Sequence, residues 1–214
     1  MAKHNSQAVK EREVRSRLLF DGSFWKRIVT RPAVISANNA LLLGVAWLII
    51  GAIAAWHFRF VPTSMIGYTT SGYIPLIWHV AFVAVMWISF AVVYFAFGVM
   101  CNRETGVVEL FGRMLFAHWP LTLLHVPGMF VNRVAYATFM DNAVVAFKTY
   151  PHDSTIMAVV ALVVFVWALY WGCLAFSRAT QRKGAVMLIC YVIATMLACY
   201  ISQLTLEALY RGLA

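Results

Sequence analysis

The side chains best able to do chemistry lie in one apolar stretch between Arg103 and Arg133. Ionisable groups cost free energy at membrane depth, so each one in such a stretch is a candidate functional group. Histidine can transfer protons or bind a metal ion, and proline interrupts the backbone hydrogen bonds of a helix. The candidate site therefore combines one carboxylate, one guanidinium, two imidazoles and two prolines: Glu109, Arg113, His118, Pro120, His125 and Pro127.

The spacing of these residues limits the chemistry. Glu109 precedes Arg113 by four positions, the favourable order for an ion pair on a helix, and we expect Arg113 to extend to the lipid headgroups. His118 and His125 are seven positions apart, which on an unbroken helix is about 10 Å. This separation is too long for both to bind one metal ion without other partners. We therefore predict a third helix kinked at Pro120, with no metal site.

No signature of catalysis or of cofactor binding accompanies the candidate site. The sequence contains no GxSxG, Walker or HExxH pattern and no pair of acidic residues within one apolar segment. We therefore predict a non-enzymatic protein with no cofactor. The four cysteines include no CxxC pair and are predicted to be small buried residues rather than a disulfide or metal framework.

Composition defines the elements that must position these residues. The chain has 214 residues, of which 63% are hydrophobic and 12% charged, whereas soluble domains are about half apolar and a quarter charged. Lipid is therefore the expected solvent, and backbone groups in lipid require helices. The predicted fold is an all-α integral membrane protein. Its domain covers residues 39–211, with five transmembrane helices at about 40–58, 75–100, 107–131, 155–176 and 185–210.

A basic segment, residues 1–38, precedes the predicted domain. In LLFDGSFWKRIVTRP, apolar side chains can share one side of a helix while Lys26, Arg27 and Arg31 take another. This pattern predicts an amphipathic helix lying on the membrane surface; the alternative is a simple positively charged flank of the first helix. Eight of the 17 basic residues lie in the first 31 positions. This placement favours contact with anionic lipid headgroups and argues against nucleic acid as a partner of the +9 chain.

The distribution of basic residues also predicts the orientation. If the N-terminus is cytoplasmic and five helices cross, 13 of the 17 basic residues fall on the cytoplasmic side. A model with four crossings would place Arg178, Arg182 and Lys183 outside. We therefore predict a cytoplasmic N-terminus and a C-terminus outside.

Several further expectations concern packing and loops. Small residues predict close helix contacts on the fifth helix (Ala194, Ala198, Ser202) and on the first (Gly44, Gly51, Ala55). The spacing of Glu207 and Arg211 predicts an ion pair. We expect residues 59–74 to form a flexible loop and residues 132–154 to contain a short surface helix before Pro151.

The layout of the chain resembles a known family. A segment ending in TRPAVISANN precedes five apolar helices, the third carries ETGVVELFGRMLFAHWPLTLLHVP, and the last two carry VFVWALYWGCLAFSRATQRKGAVMLICYVIATMLACYISQL. Over about residues 18–210 the chain is similar to bacterial members of the Yip (Ypt-interacting) family. The resemblance implies a five-helix protein, here of the bacterial inner membrane. Eukaryotic members contact Rab-type GTPases through a cytoplasmic domain, in whose place this chain has about 38 residues.

Two functions compete at this stage. The first is a non-enzymatic protein that organises the membrane or partner proteins through its helices and basic edge, with membrane proteins or further copies of itself as partners. The alternative is a small transporter or channel component. Its pathway would pass the kinked third helix at His118 and His125, with His79 as a further lining residue.

Overall fold

The computed structural model describes residues 35–64, 67–70 and 74–212. The predicted interfacial helix and most of the basic segment lie outside these residues. In chain order the elements are α1 (Ala37–Phe58), β1 (Phe60–Pro62), β2 (Tyr68–Thr70), α2 (Leu76–Cys101), α3 (Val107–Ala117), two 3₁₀ helices (Trp119–His125 and Pro127–Met129), α4 (Arg133–Asp141), α5 (Ala143–Thr149), α6 (Pro151–Thr180) and α7 (Ala185–Arg211).

The predicted fold class is confirmed. Five segments of the described chain are long and apolar enough to cross a membrane: α1, α2, the stretch Val107–Met129 that joins α3 to the 3₁₀ helices, α6 and α7. The protein is therefore a multi-pass membrane protein. The fourth crossing extends beyond the predicted 155–176 at both ends. It begins at Pro151, because the fixed φ of proline suits the first position of a helix.

Two short turns lie side by side at one end of the bundle. The first joins α2 to α3, and the second joins α6 to α7. Asn102 donates its side-chain amide to the Thr180 carbonyl over 3.1 Å, and the Arg182 Nε donates to the Cys101 carbonyl over 3.2 Å. The carbonyls in the last turn of a helix have no donor within that helix. These two bonds supply donors for one such carbonyl at the end of α2 and one at the end of α6.

A cap of short elements covers the opposite end. After α1, Arg59 takes a left-handed conformation (φ 59°), and the chain turns into an antiparallel hairpin in which Phe60 faces Thr70. The Thr69 hydroxyl donates to the Asp141 carboxylate at 2.9 Å, which joins the hairpin to α4. The prediction of a loop over residues 59–74 missed this hairpin, whose strands have three residues each. The predicted short surface helix before Pro151 is confirmed as α5.

The third crossing is the centre of the bundle. Over its apolar window 56% of the residues are buried, compared with 17% to 39% in the other four crossings. Its most extensive contact is with α1, and α2 packs most extensively along α7. Both predicted small-residue faces are buried: Ala194, Ala198 and Ser202 on α7, and Gly44 and Ala55 on α1, where Gly51 also approaches Thr122. Small side chains therefore set the helix spacing, as membrane bundles require.

The contact between α1 and α3 provides a stability test at Gly112. A Cβ at this position would lie 2.7 Å from the Ala37 carbonyl oxygen, a backbone atom that cannot move alone. We expect Gly112→Ala to lower the free energy of unfolding by about 1–3 kcal/mol, because overpacking exceeds the gain in helix propensity. The measurement is thermal unfolding of the purified protein in detergent.

Gly106→Ala is the matched control for this variant. Its Cβ would approach only the Glu109 Cβ, at 3.8 Å. We expect a loss of no more than about 1 kcal/mol, because Gly106 is the N-cap of α3, where alanine is less favourable than glycine but meets no obstacle. Equal stability of the two variants would contradict the close packing of α3 on α1.

A polar candidate site along the third crossing

The predicted ion pair at the start of α3 is present. The Arg113 Nε lies 2.7 Å from the Glu109 Oε1. The expectation that Arg113 extends to the headgroups is wrong, because its side chain is only 7% exposed while that of Glu109 is 43% exposed. The pair lies at the end of the bundle that carries the two short turns. Burying a charged guanidinium costs free energy, and pairing it with a carboxylate lowers that cost.

The backbone at the prolines differs from the predicted kink. The α-helix ends at Ala117, three residues before Pro120. Pro120 has no N–H to donate to the Phe116 carbonyl, and it disfavours the α conformation at Trp119. The chain tightens into a 3₁₀ helix that begins at Trp119, and Pro127 opens a second one. The third crossing is therefore α-helical in its first half and 3₁₀ in its second, instead of a bent continuous helix.

His118 lies at the junction of these two halves. It is 1% exposed, and its Nδ1 lies 2.7 Å from the Met114 carbonyl oxygen. A carbonyl only accepts, so Nδ1 carries the hydrogen and Nε2 is left as an acceptor. The ring lies edge-on to Trp87 at 5.5 Å between centroids. His118 thus binds one of the last carbonyls of α3, which lack partners within the helix.

His125 belongs to a different environment, beneath the cap. It is 2% exposed, its Nδ1 lies 3.1 Å from the Tyr136 hydroxyl, and that hydroxyl donates to the Leu124 carbonyl at 3.2 Å. The rings of Phe58 and Tyr68 flank it, at 6.3 and 5.0 Å between centroids. His125 therefore joins the end of the third crossing to α4 and to the hairpin.

The phenols of this cap stay protonated at neutral pH. Burial raises the pKa of Tyr68 to about 12. Burial also raises the pKa of Tyr136, and the neighbouring Tyr68 adds to that shift. Tyr136 consequently remains a hydrogen-bond donor to Leu124 throughout the physiological range, which keeps the His125 contact intact.

Two other predicted polar residues have local partners. His79 has its Nδ1 3.3 Å from the Pro75 carbonyl oxygen. The predicted pair of Glu207 with Arg211 does not form; the Glu207 carboxylate instead accepts from the Gln203 side chain at 3.1 Å. The amide lies one turn earlier on α7, and a neutral donor there satisfies the carboxylate as well as the predicted cation would.

A cleft opens beside the junction between α3 and the 3₁₀ helices. It lies between α1 and α2 and is small, with a cavity volume of about 40 Å³. Its lining includes Trp47, Tyr68, Trp87, His118 and Trp119. Sequence reasoning missed this arrangement, because tryptophans near the ends of membrane helices are typical of anchors at the membrane surface. Their distribution over α1, α2 and the third crossing could not reveal that they face one another.

The six candidate residues do not form a single centre. Glu109 and Arg113 pair at one end, His118 lies at the junction, and His125 lies beneath the cap. Within residues 35–64, 67–70 and 74–212, no group of three or more His, Cys, Asp or Glu side chains is arranged to hold a metal ion. Each of these polar residues serves a contact within the fold, and the His118 Nε2 is buried without a partner.

Comparisons with protein-family models, with curated proteins and with solved structures found no match to this chain.

Proposed function

We propose that this protein is a Yip-like protein of the bacterial inner membrane that organises membrane or partner proteins and is not an enzyme. The observation that supports this function most is how the described crossings use their polar side chains. Each of these side chains has a partner inside the protein: Arg113 bonds to Glu109, His118 to the Met114 carbonyl and His125 to Tyr136. Such bonds fix a bundle in one arrangement, which is what a scaffold for other proteins requires.

The outer faces of the crossings are the surfaces available to partners. They expose large apolar side chains on all four long helices, including Leu42, Val92, Leu162 and Met196, each between 64% and 73% exposed. In a bilayer these faces contact lipid or the helices of another protein. We propose that partner helices, or a second copy of this chain, dock on one of them.

The proposed orientation places the N-terminus in the cytoplasm and the C-terminus outside. The end of the bundle with the two short turns carries the basic cluster Arg103, Arg178, Arg182 and Lys183. The capped end carries a mixture of charges: Arg59, Arg133, Asp141, Lys148, Asp153, Glu207 and Arg211. With Arg113 the short-turn end has five basic residues against four at the cap, so the main excess comes from the eight basic residues of the first 31 positions, which precede α1. An excess of basic residues marks the cytoplasmic side, so we propose that α1 begins there and that the cap faces outward.

A transporter is the second candidate function. The observation that favours it is the 3₁₀ backbone at membrane depth beside the cleft at His118. Broken helices within transporters commonly line the substrate path. His79, the third residue expected along such a path, is absent from the residues that line this cleft.

Photo-crosslinking in native membranes tests the scaffold. A photoreactive residue is placed at Leu42, Val92, Leu162 or Met196, one on each outer face, and unirradiated cells are the control. We expect discrete protein adducts from one or two faces only, because a docked helix covers part of the surface. Adducts at multiples of 24.1 kDa would identify further copies of this chain. A chain that gives no protein adduct at any of the four positions is not a scaffold.

A reporter fused to the C-terminus tests the orientation. An alkaline phosphatase, which folds only outside the cytoplasm, should be active there, and a fluorescent protein that requires the cytoplasm should be dark. The same two reporters placed in the turn between α6 and α7 should give the opposite pattern. An active phosphatase in that turn would contradict the proposed orientation.

Flux measurements distinguish the scaffold from the transporter. We expect vesicles containing the purified protein to show no more proton or alkali-cation flux than empty vesicles under an imposed gradient. The measurement is a pH-sensitive or cation-sensitive dye enclosed in the vesicles. Flux that depends on the protein and is lost in His118→Asn would instead support the transporter.

A further inference from the structure

A groove with apolar walls runs between α2 and α3, toward the end of the bundle that carries the two short turns. Its cavity volume is about 140 Å³. The lining of this α2–α3 groove includes Trp87, Ala91 and Phe95 on α2, and Val107, Phe111 and Leu115 on α3. Apolar cavities of about 150 Å³ stay dry and take up small apolar molecules. The groove is therefore large enough for a segment of one hydrocarbon chain.

The α2–α3 groove opens onto lipid. Among the described residues, none that lines it is charged, and the hydroxyl of Tyr94, which also lines it, bonds to Thr195 at 2.9 Å. Val107 is 56% exposed, and Phe111 is partly exposed. Because α2 and the third crossing both span the membrane, the surface onto which the groove opens faces lipid chains.

The length of the groove matches one leaflet of the bilayer. Along α3 its lining runs from Val107 to Leu115, and along α2 from Phe95 to Trp87. Each of these runs covers about 12 Å at a rise of about 1.5 Å per residue. Half of the hydrocarbon layer is about 15 Å thick. Val107 is the first residue of α3, so the groove begins at the level of the turn and follows the path of an acyl chain from there.

Arg103 lies at the mouth of the groove. It is exposed and belongs to the turn that joins α2 to α3, four residues before Val107. Even a fully extended chain of four residues covers only about 14 Å. The guanidinium can therefore reach the headgroup of a lipid whose chain lies in the groove.

The charge at this end of the bundle favours an anionic headgroup. Besides Arg103, the exposed basic residues there are Arg178, Arg182 and Lys183. Glu109 is paired with Arg113, so within the described chain Glu104 is the exposed acidic residue that opposes them. The net charge at the mouth is thus positive.

The groove and the basic residues contribute in different ways. Lipid chains are as apolar as the groove walls, so the hydrophobic effect does not draw a chain out of the bilayer into the groove. A bound chain instead supplies the van der Waals contacts that an empty groove would lose. Any phospholipid can supply these contacts. The selection among lipids therefore falls to the basic residues, which attract anionic headgroups.

We propose that the α2–α3 groove binds one anionic phospholipid, with an acyl chain in the groove and the headgroup at Arg103. This site is separate from the basic segment that precedes α1. It is also independent of the scaffold function, since either proposal can fail while the other stands.

Native mass spectrometry of the full-length protein tests the proposal. The protein, stripped of lipid in detergent, is titrated with dioleoyl phosphatidylglycerol or with dioleoyl phosphatidylcholine. We expect one phosphatidylglycerol per chain, with a Kd at least fivefold lower than that of phosphatidylcholine, since each basic residue near an anionic headgroup contributes about this factor. The comparison requires no variant.

Charge variants test the headgroup contact. We expect Arg103→Gln to weaken the binding of phosphatidylglycerol about fivefold, and Glu104→Gln to strengthen it by a similar factor, because the first removes an attraction and the second a repulsion. Neither should change the binding of phosphatidylcholine. Lys148→Gln is the matched control: it removes an exposed basic residue from α5 at the capped end and should have no effect.

Groove variants test the contact with the acyl chain. Ala91→Phe places a ring in the groove and should weaken the binding of phosphatidylglycerol about tenfold, because the ring takes the space of the chain. Val92→Phe is the matched control, since Val92 is 64% exposed and does not line the groove. Thermal unfolding without lipid checks that both variants fold. The charge variants lie in an exposed turn and decide the test if Ala91→Phe does not fold.

Photo-crosslinking identifies the occupant in native membranes. A benzoylphenylalanine in place of Phe111 should give an adduct with the mass of one phospholipid. An internal crosslink to residues 1–34 would instead assign the groove to the N-terminal segment and overturn the proposal.

Three results of the titrations would also overturn it. One is an equal Kd for the two lipids. Another is the same Kd for phosphatidylglycerol in Arg103→Gln and Lys148→Gln. The third is the same Kd in a folded Ala91→Phe and in Val92→Phe.

Discussion

The constraint on which this structure depends is that backbone polar groups inside a membrane must find partners within the protein. Four of the five crossings satisfy it with regular α-helices. The third cannot, because Pro120 and Pro127 each remove a backbone donor from its second half. A crossing of this kind is tolerated only where other helices shield it from lipid. It is consequently the most buried of the five, and α1, α2 and α6 pack around it.

The 3₁₀ backbone also explains how so few α-helical residues can cross the membrane. The 11 residues of α3 span about 16 Å at a rise of about 1.5 Å each. The two 3₁₀ helices have seven and three residues, and at about 2 Å each they add about 20 Å. Their combined length exceeds the roughly 30 Å of the hydrocarbon layer. His125 therefore reaches the capped end, where the Tyr136 hydroxyl binds it.

The sequence predicts much of this fold and little of the site. Twenty apolar residues in lipid can only form a helix, so the five crossings follow from composition and length. Small residues at helical spacing likewise predict the buried faces of α1 and α7. The backbone at Pro120 is harder, because a proline permits either a kink or a change to 3₁₀, and packing from other segments decides between them. The cleft depends on side chains from three crossings, and local spacing cannot show that Trp47 and Trp119 stack.

The break in the third crossing and the state of His118 have one cause. Because the α-helix stops at Ala117, the carbonyls of its last turn lack partners, and the His118 Nδ1 binds the one at Met114. That bond fixes the tautomer and makes the opposite ring nitrogen an acceptor. The next residue, Trp119, begins the 3₁₀ helix and stacks on α1. A proline that prevents a regular helix thereby fixes both the tautomer of His118 and the start of the 3₁₀ helix at Trp119, the two residues that line the cleft at the junction.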